Sequence, residues 1–264
     1  MRPAATHYSL GTCPVTGVGL GVSSECLDDA LDGPIQALIF DDTGTEQVTL
    51  LLDGLADTEF SRENLDSLLA DDREPEDWRV GEALAESYLT DNRDCFFPWP
   101  DGRDERKRGS SLPGADLMGF QREGEQDRFA FGEVKTSGEN KYPPATMYGR
   151  HGLKQQVEEL RDRQDIREGL VLYLGHRAVN APWTNRYRSA CSVYLRDTCD
   201  VRVFGLLVRD VEPNEADLQA RVCRLRTGCS AAMRIEMTAL YLPSGSIDTL
   251  AERVVASRPK GGTR

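Results

Sequence analysis

Apolar positions along this chain follow two periods, and the switches between them divide it into elements. Residues 1–33 are rich in Gly and Ser and weakly patterned. PIQALIF (34–40) and QVTLLL (47–52) are β-rich runs on either side of the turn-like DDTGTE, which predicts a hairpin. SRENLDSLLAD (61–71) has a Ser cap, an early Glu and leucines at helical spacing. DDREPED then breaks the pattern, and the boundary is expected there. Pro75 suits a first helical turn, and WRVGEALAESYL after it sets Val80, Leu84 and Tyr88 on one stripe. LMGF (117–120) and FAFGEVK (129–135) predict a second hairpin across the polar QREGEQD. Residues 153–168 and 214–226 read as helices. LVLYLG (170–175), VRVFGLLV (201–208) and MRIEMTALYL (233–242) read as strands. Ser246 opens a closing helix with Ile247, Leu250 and Val254 at its core positions, and the tail SRPKGGTR is expected to be disordered. Helices interleaved with apolar strands make the chain α/β.

Charge sharpens the division at residue 75. Residues 1–75 hold fifteen acids against Arg2, Arg62 and Arg73, a balance of −12, which is the whole net charge of the protein. Residues 76–264 are neutral overall, with a local surplus of four bases in 140–195. We therefore expect an acidic N-terminal region (1–75) with a hairpin and a helix, and a larger domain over 76–264. A pI near 4.8 argues against a protein that coats nucleic acid, though not against one basic face. No run reaches the ~18–20 apolar residues of a membrane span, and no signal peptide opens the chain, so a cytoplasmic protein without membrane contact is expected. Seven cysteines without a CxxC predict buried free thiols, and three scattered histidines predict no histidine metal site.

The candidate chemistry lies in the second hairpin. Side chains alternate across a strand, so Glu133 and Lys135 share a face with Phe129 and Phe131. A charged pair there is costly unless it meets solvent or an ion. Pairing of the two runs brings Asp116 beside Glu133. Crowded carboxylates repel, and a divalent cation is the usual remedy. Asp116, Glu133 and the Val134 carbonyl are then candidate ligands for Mg²⁺ or Mn²⁺, with Lys135 beside the reacting water. That set suits phosphodiester hydrolysis.

GAD, sixteen residues and then EVK, between a helix bearing GEALAESYL and one bearing LKQQVEEL, resembles the PD-(D/E)xK nucleases of restriction-endonuclease-like fold. The resemblance spans roughly residues 76–175, with Gly114-Ala115 replacing the Pro that names the motif. It implies a mixed sheet flanked by helices, Asp116 and Glu133 as metal ligands and Lys135 as the catalytic lysine. Glu82 (or Glu86) resembles the helical glutamate that supports the metal, and Gln155 or Gln156 the glutamine that follows the catalytic strand. RVGEALAESYL, SLPGADLMGF, FGEVKTS and TALYLPSGSIDTL are similar to the nuclease subunit of Hachiman-type antiphage defence systems, which partners a helicase. DNA cleavage controlled by a protein partner docked through the acidic region is the function implied. A non-catalytic adaptor and an RNA-directed nuclease are the alternatives. Arg103, Arg106, Lys107 and Arg108 form a basic loop before the hairpin, diluted by Asp104 and Glu105.

Overall fold

Seven strands form one mixed sheet in the computed structural model, which describes residues 1–69, 75–100, 103 and 114–258. They are β1 (Ala5–Thr12), β2 (Val15–Gly21), β3 (Cys95–Phe96), β4 (Leu117–Glu123), β5 (Gln126–Ser137), β6 (Arg202–Arg209) and β7 (Arg234–Tyr241), in the spatial order β1-β2-β7-β6-β5-β4-β3. β2, β7, β6 and β5 run parallel through the middle; β1 pairs antiparallel with β2 at one side, and at the other β4 pairs antiparallel with both β5 and β3. The architecture is α/β, as expected.

The α-helices among the described residues are α1 (Ser24–Ala30), α2 (Gln36–Phe40), α3 (Asp42–Leu52), α4 (Glu59–Leu69), α5 (Asp77–Arg93), α6 (Leu153–Asp162), α7 (Gln164–Ala178), α8 (Thr184–Tyr194), α9 (Gln219–Arg226) and α10 (Leu250–Ser257). Alternation along the strands feeds two cores. Ala130, Val134, Phe204, Leu206 and Val208 meet α1, α2, α5 and α10 on one face. Phe129, Phe131, Val203, Leu207 and Met237 meet α6 to α9 on the other. α5 buries the expected stripe of Val80, Leu84 and Tyr88, each worth roughly 1.5–3 kcal/mol. Gly81 lets it settle directly on β5, because a Cβ at that position would stand 1.9 Å from Thr136 Oγ1.

Three expected strands are helical instead. The first hairpin lies at 5–21 rather than 34–52. PIQALIF falls in a π-type turn (Leu31–Ile35) and α2, which continue the helical course of α1, so that Leu27, Leu31 and Ile35 are buried at four-residue spacing. DDTGTE opens α3, with Asp41 Oδ1 accepting the Gly44 N–H at 3.1 Å. LVLYLG lies inside α7, which buries Leu170, Val171, Leu174 and Ala178 and exposes Leu172. A short apolar run fits a helix or a strand until its flanks decide.

The acidic region also differs from expectation. β1 and β2 belong to the same sheet as the β4–β5 hairpin, and Leu20, Leu27, Leu31 and Phe40 share a core with Val80 and Val134. Residue 75 divides neither sheet nor core. α3 and α4 alone stand apart, with no buried residue in either. Of the cysteines, Cys95 is buried as expected, whereas Cys13 and Cys223 are exposed. Among the described residues no helix is long and apolar enough to cross a membrane.

Candidate active site

The antiparallel ladder of β4 and β5 ends at the pair Leu117–Gly132, so Asp116 and Glu133 lie just past its last rung. There the Val134 N–H has no strand partner, and Asp116 Oδ2 accepts it at 2.8 Å. The N–H and C=O of one extended residue share an edge, which turns the Val134 carbonyl to the same side. Lys135 Nζ lies 3.4 Å from Asp116 Oδ2 and 3.6 Å from Glu133 Oε2. The three side chains predicted to work together are therefore adjacent.

Their environments differ. Glu133 is 1% exposed, and its Oε2 has no hydrogen-bond partner. Burial, and then the charge of Asp116, push the Glu133 carboxyl up to about 10, against the pull of Lys135. One ammonium does not satisfy two carboxylates here. A divalent cation fits that deficit, because an orphaned buried oxygen, the Asp116 carboxylate and a backbone carbonyl are hard oxygen donors on one edge. Among the described residues no group of three or more His, Cys, Asp or Glu side chains is placed to hold a metal ion. Asp116 and Glu133 would supply two side-chain oxygen ligands and the Val134 carbonyl a third oxygen, hard donors of the kind that Mg²⁺ takes together with water.

The supporting residues are placed less uniformly. Glu82 lies on α5, which packs on the face opposite the one that carries Glu133, and its carboxylate meets Arg79 at 3.1 Å. Glu82, Glu86 and Asp116 nonetheless line one cleft of about 230 Å³. Gln155 donates to Glu159 Oε1 at 3.1 Å along its own helix, while the Gln156 Oε1 is buried without a partner. Among the described residues neither glutamine bonds Asp116, Glu133 or Lys135. Lys154 reaches Glu158 at 4.0 Å, and His151 is exposed. Arg106, Lys107 and Arg108 lie outside the described residues.

Two features of the site were not read from the sequence. Arg209 is fully buried at the end of β6, where its guanidinium donates to the carbonyls of Ser137 (2.6 Å), Glu139 (2.8 Å) and Lys141 (2.9 Å). It thereby fixes the chain leaving β5. Asp217 holds the guanidinium at 3.3 Å and also accepts from the Tyr241 hydroxyl at 2.9 Å. Burial raises the Asp217 carboxyl, with Arg209 and Tyr241 opposing the shift. The sequence signal is an Arg closing the apolar run VRVFGLLVR. The other feature is the cleft itself, whose walls come from α2, α3, α5, residues 97–100 and the start of β4. Its parts are too far apart in sequence to announce one another.

No protein-family model matches the chain, and no curated protein matches it significantly.

Proposed function

We propose that this chain is a divalent-cation-dependent nuclease of the PD-(D/E)xK type that hydrolyses phosphodiester bonds of DNA. The observation that carries this reading is the meeting of Asp116, Glu133 and Lys135 at the open end of one hairpin, with a buried Glu133 oxygen left unsatisfied. The cation would sit against Asp116, Glu133 and the Val134 carbonyl, where it offsets phosphate charge and acidifies water. Asp116 ties the catalytic strand to β4 through the Val134 N–H, which holds both carboxylates in place. Lys135 supplies a point charge beside the attacked phosphate and orients the incoming water. Arg209 keeps the segment after Lys135 from moving away.

Control by a partner belongs to the same proposal. A second protein of the helicase class would dock partly through the acidic N-terminal region, as a component of an antiphage defence system. α3 and α4 support this part: residues 42–69 hold seven acids and one base and expose Leu51 and Phe60 at 77% and 73%.

The test is cleavage of plasmid DNA and of a structured RNA in Mg²⁺. Wild type should cut DNA, and Asp116→Ala and Lys135→Ala should each lose about 10²-fold or more while remaining folded. Lys135→Arg should not restore activity, because a guanidinium fork does not occupy an ammonium position. Wild-type rates in Asp116→Ala would remove the assignment, and cleavage of RNA alone would change the substrate.

A further inference from the structure

The cleft that opens on Asp116 holds an ion pair that the hydrolytic site does not use. Asp41 stands at the junction of α2 and α3, and its carboxylate grips Arg103 with two contacts, Nε to Oδ2 at 2.6 Å and Nη2 to Oδ1 at 2.8 Å. Arg103 also lies over the Trp99 ring at 5.4 Å. Asp41, Thr43, Trp99, Arg103 and Asp116 all line the same cleft. A guanidinium fork accepts a phosphodiester with the geometry it gives a carboxylate.

We infer that Arg103 is a phosphate-binding residue for the nucleic-acid strand and that Asp41 occupies it as an internal phosphate mimic. This rests on the nuclease reading for what enters the cleft. The wall that carries Asp41 is built to move. α3 follows directly and has no buried residue, so displacing it uncovers no core. Asp41 itself has a left-handed backbone at φ 42°, the kind of single residue about which two helices change direction. A strand entering the cleft would exchange one anion for another at Arg103 and push α3 aside, with Asp116 lining the same opening.

Asp41→Asn separates charge from structure. Asparagine tolerates the left-handed conformation and can still accept the Gly44 N–H, so the start of α3 is kept while the charged half of the pair is lost. Binding of a short fluorescein-labelled single-stranded DNA to the full chain is followed by anisotropy in EDTA, at low and high salt. Asp41→Asn should bind about ten-fold tighter than wild type at low salt, the expected size for one charge-assisted contact released to the ligand. Arg103→Gln, and the double substitution, should lack that gain. Equal or weaker binding by Asp41→Asn overturns the inference. So does a gain for inorganic phosphate with none for the oligonucleotide, which would mark a site for a free anion. Cleavage in Mg²⁺ is measured separately. If wild type never cuts but Asp41→Asn binds tighter, the phosphate site stands and the nuclease reading falls. Cutting without any effect of Asp41 or Arg103 on binding gives the reverse.

Discussion

A carboxyl that holds its proton to about pH 10 makes folding and cation binding respond to pH in opposite ways. Below the ordinary value of 4.5, Glu133 is protonated in both folded and unfolded chains and contributes no slope. Between 4.5 and about 10 the folded chain keeps the proton that the unfolded chain releases, so stability falls as pH rises through that window. The proposed cation would bind the ionised form, so its binding would expel the proton and tighten with pH. Glu133→Gln should flatten the stability slope. Its metal-free melting temperature should exceed that of wild type by a few degrees at pH 8, and match it near pH 4. Thermal melts in EDTA at the two pH values check this. A difference that does not change with pH would mean that Glu133 is ionised in the folded protein. The residues of the site were legible because a Glu and a Lys on one side of an apolar strand lack a packing explanation. The ionisation state was not legible, since it depends on neighbours from β4 and on burial.

At the level of elements, α5 meets β5 with no room to spare at Gly81. Gly81→Ala would bring a methyl to 1.9 Å from Thr136 Oγ1 and 3.2 Å from its Cβ. The β-branched Thr136 has little freedom to turn away. The helical preference for Ala is worth at most about 1 kcal/mol, and overpacking of this kind costs roughly 1–3 kcal/mol. A net loss of stability is expected, to be read from urea denaturation; a stabilised variant would show that α5 slides freely. The strands that the sequence announces, β4 to β7, are those whose apolar residues alternate or run unbroken through the sheet. β2 was missed because its signal is masked by glycine. A Cβ at Gly19 would enter the Tyr8 ring at 2.3 Å, and one at Gly17 would meet Val222 at 2.6 Å. Close packing there demands residues that carry no hydrophobic pattern. The 34–40 and 170–175 segments differ for the opposite reason: their composition suits a strand, but their buried positions follow a helical period, whereas 47–52 lies in α3, which buries nothing.

For the molecule as a whole, the uneven charge suggested a detachable acidic part, and the sheet argues otherwise. A fragment beginning at Asp72 would lack β1, β2 and the core residues Leu20, Leu27, Leu31 and Ile35. Each buried leucine or isoleucine contributes about 2–5 kcal/mol against alanine, and a domain holds only about 5–15 kcal/mol in total. Circular dichroism of that fragment should therefore show no cooperative unfolding transition; a native-like melt would restore the boundary at 75. Acidity and core membership are separable here because Glu25, Asp28, Asp29 and Asp32 are exposed on the helical turns that bury Leu27 and Leu31. Seven more acids lie at 42–69, where α3 and α4 bury nothing. The pairing of β2 with β7 has a further consequence for the order of events during synthesis. Val15 takes its place against Ile235, so an early strand waits for one of the last. The hairpin of β4 and β5 closes locally within a few residues of being made, yet β5 still needs β6 on its other edge. While the ribosome works, the carboxylates lie on an isolated hairpin without the surroundings that bury Glu133. The proposed site is thus completed by its own topology only when translation is nearly done.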